Sequence, residues 1–263
     1  MFRALYTAAT GMYGQQLNVD TISNNIANVN TAGFKKSRVD FQDLLYQTIQ
    51  KPTVNEDTGV NQPMGVAIGL GTKPAAIQSM FSKGNLTPTN NPLDIAINGE
   101  GFFKVTVPGY EDPLYTKNGA FSLDAEGNLV NSDGYKIVGV DTLDTAAFDV
   151  KIDTDGTVSY MVPGQAEPVT AGRIELAKFV NPAGMDKLGK NLYGATLNSG
   201  EAQDWDPQSD NTIQLQSGYL ETSNVQIVEE MVNLIQAQRA YEFNSKVITS
   251  SDEMLQMAAG LKR

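Results

Sequence analysis

The chain has 263 residues, with no cysteine and no histidine, and its 19 Lys and Arg against 30 Asp and Glu give a formal net charge of −11. These counts exclude a disulfide framework, a thiolate nucleophile, a Cys- or His-ligated metal centre and a Ser-His-Asp triad. An acidic balance of this size also argues against a nucleic-acid surface, which needs clustered basic charge.

The chain allows one large domain or two smaller ones. No run of 18 apolar residues occurs, so no membrane insertion is expected. The opening MFRALYTAATGMYGQQLN has one charge, no long apolar core and no cleavage box. It does not read as a secretory signal, so if the protein leaves the cytoplasm, a route that does not cut it is expected.

Taken in chain order, Phe2, Leu5, Ala9, Met12, Val19 and Ile26 fall on a 3-4 spacing that predicts a helix, with Gln16 and Ser23 as polar interruptions. Asn28, Asn30 and Gly33 supply the stop. Phe41, Leu44, Leu45 and Ile49 suggest a second, shorter helical piece. Residues 51–71, broken by Pro52, Pro63 and several glycines, hold neither period and read as a linker or extended loop.

The middle changes texture. Turn pairs recur at Asn98-Gly99, Asn118-Gly119, Asp133-Gly134, Asp155-Gly156 and Pro163-Gly164. Between them lie strand-like runs such as Gly101–Val107 and Tyr135–Val140. This predicts an antiparallel β domain, a sandwich or an irregular barrel. Residues 101–219 hold 8 basic and 17 acidic side chains, so most of the acid lies here.

Towards the C-terminus, Ile227, Met231, Leu234, Gln238, Tyr241, Ser245, Ile248, Asp252, Leu255 and Ala259 follow heptad spacing. A second stripe runs through Val228, Val232, Ile235, Val247, Met254 and Met257. Residues 225–259 contain no Gly or Pro, which predicts a helix about 50 Å long. Thr222, Ser223 and Asn224 are candidate caps. The expected fold class is α+β. Two readings of the terminal helices stay open: each packs on the central domain, or the two pair as a coiled coil.

Candidate chemistry is sparse. Asp153-Thr154-Asp155-Gly156 opens like a calcium loop but lacks its remaining ligands, so a hairpin turn is expected. Gly65–Gly71 lacks the Gly-Lys-Ser/Thr ending of a phosphate loop. Glu111-Asp112 and Glu229-Glu230 are sequence neighbours and do not face one another as a catalytic pair. No cofactor and no catalytic residue is expected. Asn24, Asn25, Asn28 and Asn30 stand within one helical stretch, either as a frayed, cap-rich end or as an amide ladder across a helix contact.

Asn18–Phe34, with Ser23–Asn28 and Thr31-Ala32-Gly33-Phe34-Lys35-Lys36, resembles the N-terminal signature of bacterial flagellar rod and hook proteins. Glu221–Val225 and Gln238–Lys246 resemble that family's C-terminal signature. Gly84-Asn85-Leu86, Asn91–Ile97, Gly101-Phe102-Phe103, Tyr115–Gly119, Phe121 and Asp124–Val130 follow its central pattern. The resemblance spans nearly the whole chain and is greatest to the family's distal-rod members.

The resemblance implies a mechanical subunit that stacks helically into a hollow tube and carries torque from motor to hook. It implies a terminal coiled-coil domain of residues 1–45 and 220–263 on the inner tube. It also implies an extended, stiffening segment of residues 46–71 and an outer β domain of residues 72–219. The packing residues implied are Leu5, Met12, Val19, Asn24, Asn25, Ile26, Asn28, Gly33 and Phe34 at the N-terminal end. At the C-terminal end they are Val228, Met231, Leu234, Ile235, Gln238, Arg239, Tyr241, Asn244, Ile248 and Leu255. Stiffening residues would be Tyr46, Gln47, Pro52, Pro63, Gly65, Gly69 and Gly71. Implied partners are further copies of the chain, proximal rod and hook or hook-junction subunits, the peptidoglycan and outer-membrane bushing rings, and the flagellar type III export apparatus. The implied place is the periplasm-spanning rod of the basal body. A proximal rod or hook subunit is the near alternative, and a cell-wall carbohydrate-binding or carbohydrate-acting β protein the remote one.

Overall fold

A computed structural model describes residues 2–51, 53–54, 61–62, 64–144, 147–164, 167–208 and 212–260. The chain divides into two compact units. Unit 1 comprises residues 1–26, 37–78 and 226–263; unit 2 comprises residues 27–36 and 79–225.

Unit 1 holds two long helices, α1 (Phe2–Ala27) and α2 (Ile227–Gly260). Helix α1 ends where the sequence predicts: Thr31 N–H returns to the Asn28 carbonyl, and Gly33 sits at φ +70°. That left-handed turn suits glycine. Helix α2 runs unbroken for 34 residues. Its first backbone bond joins Glu230 N–H to the Gln226 carbonyl, and Glu229 and Glu230 lie in the first turn, favourable to the helix dipole. The candidate caps do other work. The Thr222 hydroxyl donates to the Asn85 carbonyl, and the Asn224 amide binds backbone elsewhere in unit 2.

The helices pair with each other, antiparallel, which decides between the two readings left open above. The Asn25 amide donates to the Glu230 carboxylate at 3.2 Å. A Cβ on Gly11 would stand 2.9 Å from Asn244 Nδ2. Fourteen residues separate Gly11 from Asn25, and fourteen separate Glu230 from Asn244. The two helices therefore keep step over about 21 Å.

The rest of unit 1 is an antiparallel ribbon. Ser37–Asp43 pairs with Thr72–Ser79, and Tyr46–Gln50 with Val66–Gly69. Leu44 N–H to the Gly71 carbonyl and Leu70 N–H to the Leu45 carbonyl join these ladders. Beyond them, Thr53–Val54 pairs with Asn61–Gln62. The expected helical piece at 41–49 is therefore wrong, and the loop reading of 51–71 misses its strands. A four-residue apolar set cannot fix a period, and ladder pairing overrides it. Every residue of Tyr46–Gln50 is exposed, so no period-2 alternation marks the strand. The ribbon rests on α1: the Phe41 ring lies 3.0 Å from where a Gly14 Cβ would be.

Unit 2 is the antiparallel β domain. Its main sheet is centred on Phe102–Thr106, which pairs along one edge with Leu114–Thr116. Along the other edge it pairs with Lys136–Ile137 and Leu176–Lys178. The sheet is open and does not close into a barrel among the described residues. Strand alternation places Phe103 and Val105 in one core, with Ile95, Ile97, Leu215 and Trp205. Phe102 faces the other way, edge-on to Phe179 at 5.8 Å and to Phe81 at 5.4 Å. The predicted Asp155-Gly156 turn closes with Gly156 N–H on the Asp153 carbonyl, a hairpin as expected.

Candidate functional site

The first constellation lies inside unit 2, where chain arriving from α1 and chain leaving for α2 meet the β domain. Lys35, Lys117 and Glu221 are all buried. Lys35 Nζ donates to Glu221 Oε1 at 2.7 Å and to the Ser82 carbonyl at 2.8 Å. Gly84 N–H donates to the same carboxylate oxygen at 2.8 Å. Gly33 N–H donates to the Glu221 backbone carbonyl at 2.8 Å. Lys117 Nζ donates to the Gly99 carbonyl at 2.9 Å and stands 3.7 Å from Glu221 Oε2.

Beside it, Asn224 makes a second stitch. Its Oδ1 accepts from Lys36 N–H, and its Nδ2 donates to the Met80 carbonyl and to Ser82 Oγ. Met80 N–H closes the loop on the Lys36 carbonyl. Residues 33–36, 80–84 and 221–224 are thus tied into one knot just inside three of the points where chain enters or leaves unit 2. Burial lowers the Lys117 ammonium to about 8, against the pull of Glu221. Burial also pushes Glu221 upward, but the two lysines outweigh it and hold the carboxyl below its ordinary value.

The second constellation is the helix pair of unit 1. On α2, Glu230, Ala237 and Ser251 are buried and Asn244 is half-buried, at a seven-residue spacing. This stripe is small or polar. Helix α1 meets it with Gly11 and Asn25. Asn25 also grips the ribbon, accepting from Ser37 N–H and donating to the Ser37 carbonyl, both at 2.9 Å. The amide-ladder reading holds at Asn25. Asn28 instead accepts from the Thr31 hydroxyl in the turn that ends α1.

Among the described residues, much of the apolar stripes of α2 is left uncovered. Val228 is 76% exposed, and Met231, Ile235 and Tyr241 are exposed as well. Gln238 and Arg239 are exposed, while Leu234, Ile248 and Leu255 are half-buried. On α1, Leu5, Met12, Val19 and Ile26 are half-buried and Asn24 is exposed. Gln16 and Val19 line one wall of a cleft of about 410 Å³, and Gln238, Tyr241 and Glu242 line the other. Of 28 exposed large hydrophobic residues among those described, 21 belong to unit 1. The helical unit therefore has far more apolar surface than its own fold covers.

The remaining expected residues fall in both units. Gly33 is buried, its missing Cβ standing 2.6 Å from Asn118 N, and Phe34 lies under the Lys187 ammonium. In the ribbon, Tyr46 pairs with Gly69 and Gln47 with Ile68. Gly71, at φ +118°, sits where a Cβ would be 2.3 Å from Thr10 Oγ1. Gly65 is exposed. Pro52 and Pro63 lie outside the described residues. Sequence reasoning did not single out Lys35, Lys117, Glu221, Asn224 or Glu230 as site residues. Four of them stand within the quoted motifs, but nothing in a sequence marks a lysine as buried.

Long helices that pair on small and polar side chains and leave their apolar faces bare define a subunit built to pack against others. Comparison with known proteins agrees. Three family profiles match: "Flagella basal body rod protein" over residues 5–35, "Flagellar hook protein FlgE/F/G D1 domain" over 96–160 and "Flagellar basal body rod FlgEFG protein C-terminal" over 216–261. The flagellar basal-body rod protein FlgG of Borreliella burgdorferi is 45% identical over 266 residues, covering 100% of both chains. That of Buchnera aphidicola subsp. Schizaphis graminum is 43% identical over 99% of this chain and 100% of its own. The Caulobacter vibrioides rod protein FlgF is 34% identical over 98% of this chain and 97% of its own. The chain belongs to the flagellar basal-body rod family and is FlgG-like within it.

Proposed function

We propose that the chain is a structural subunit of the flagellar distal rod, stacking helically on copies of itself into a rigid hollow shaft that carries motor torque to the hook. The observation that carries this reading is the uncovered apolar surface of the helical unit. Contacts that repeat without closing on themselves generate a filament. The role is mechanical, with no catalytic step and no cofactor. The helical unit supplies the contacts between copies, and the segment of residues 46–71 adds a further contact that resists sliding. The acidic β unit is the surface presented to the bushing rings. Proximal rod and hook or hook-junction subunits are the end partners, and the type III export apparatus delivers the chain.

Localising a tagged chain in imaged basal bodies tests the reading. Density confined to the rod segment between the proximal rod and the hook is expected. Density in the proximal rod or the hook would overturn the distal assignment, and absence from the basal body would overturn the reading altogether.

A further inference from the structure

We propose that the buried Lys35–Glu221–Lys117 cluster is a proton-sensitive clasp, tighter in alkali and open in acid, that sets how firmly residues 27–36 and 219–225 are held to the β unit. The proposal stands on the charges and their geometry. Two ammonium groups and one carboxylate are enclosed together, so the cluster holds an excess positive charge when all three are ionised. Lys35 is well matched, with Glu221 Oε1 at 2.7 Å and the Ser82 carbonyl at 2.8 Å. Lys117 is the misfit. It stands 3.7 Å from Glu221 Oε2, and that oxygen accepts no hydrogen bond from the described residues. The charged groups acting on Lys117 are Glu221, Lys35 and Glu100, with the Phe102 ring 5.6 Å from its Nζ.

The direction follows from proton linkage. Lys117 in the folded chain loses its proton near 8, against 10.5 for an unburied lysine. Between those values the unfolded chain binds more protons, so stability rises with pH across that window. The neutral amine leaves a balanced Lys35–Glu221 pair. Glu221 has the opposite role. Its folded value is depressed below 4.5, so its contribution is present above 4.5 and is lost as pH falls through the folded value. Once it is protonated, two buried ammonium groups remain without a counter-charge.

Trp205 is the single tryptophan and lies in the unit 2 core, so its fluorescence reports unfolding of that unit in the full chain. Urea unfolding at pH 7 and pH 9.5 is expected to give a folding constant about 30-fold higher at pH 9.5 in the unsubstituted chain. Lys117→Met is expected to flatten that difference. A flat unsubstituted chain, or two chains that rise in parallel, overturns the alkaline arm. A Lys117 Cε NMR titration in the unsubstituted chain tests the same arm should the variant fail to fold. A midpoint near 8 supports the clasp and one near 10.5 overturns it. For the acid arm, Glu221→Gln at pH 7 is expected to cut hydrogen-exchange protection of the Gly84 amide at least tenfold. Unchanged protection overturns that arm.

Discussion

Asn25 and Glu230, 205 positions apart, are buried against each other, with the amide donating to the carboxylate at 3.2 Å. The same amide holds both backbone groups of Ser37. One side chain therefore ties the end of α1 to the start of α2 and to the first strand of the ribbon. Asn25→Ala leaves the Glu230 carboxylate and both Ser37 backbone groups without that partner and is expected to cost about 2 kcal/mol. Far-UV circular dichroism on heating should show the helices melting earlier while the Trp205 signal of unit 2 holds. An unchanged helical transition would count against this role.

The register of the helix pair makes a second expectation exact to one residue. Stepping seven residues from both Gly11 and Asn244 brings Asn18 opposite Ala237. The chain has no cysteine of its own, so introduced pairs report cleanly. Asn18→Cys with Ala237→Cys should oxidise to an intrachain disulfide, whereas Asn18→Cys with Val228→Cys should not. Equal yields from the two pairs would refute the register.

Val228 and Phe243 are exposed, although the Lys246 ammonium stands 5.7 Å from the centre of the Phe243 ring. A charge at either position leaves the monomer's stability within about 0.5 kcal/mol, as surface changes do. In an apolar seam between copies the same charge is costly. Val228→Asp and Phe243→Asp should therefore fold normally and fail to sediment as polymer. Polymer formation by both would remove the assembly role of this face.

Lys35→Met removes the better partner of a buried carboxylate and leaves Glu221 with the distant Lys117. Breaking a buried pair from one side costs about 3–5 kcal/mol. The urea midpoint read from Trp205 should fall accordingly. A midpoint within experimental error of the unsubstituted chain would show that Lys35 does not hold the knot.

Removing residues 46–69 takes away the Tyr46–Gln50 and Val66–Gly69 rungs and keeps the Ser37–Asp43 and Thr72–Ser79 ladder. Subunits should still assemble, into tubes that bend more readily. Electron micrographs showing straight tubes of unchanged persistence would dismiss the stiffening role.

What the sequence disclosed depends on which physical signal each element leaves. The stop of α1 at Asn28–Gly33 and the unbroken α2 follow from turn chemistry and from the absence of Gly and Pro. Phe102 and Phe103 announce a strand buried on both faces. The ribbon left no signal, because Tyr46–Gln50 is exposed throughout and its hydrogen bonds, not its burial, make it a strand. The heptad pattern pointed to a helix pair but not to every residue of its seam. The eye follows Met231, Leu234 and Tyr241, while the residues buried along α2 are Glu230, Ala237 and Ser251, and Glu230 and Asn244 are the ones that meet α1. Small and polar residues carry no hydrophobic period, so a seam built from them is invisible until the apolar stripe beside it is seen to be bare.

The antiparallel pairing also fixes an order of events. Helix α1 precedes the β unit in the chain and α2 follows it, so α1 has no partner while the β unit is being made. Closing a loop of some two hundred residues is slow relative to forming local turns, and the contact forms only after the intervening β unit has been made. A chain that has not yet reached α2 therefore carries α1 unpaired, and the helix pair, once formed, marks that the β unit between its two members has already been made.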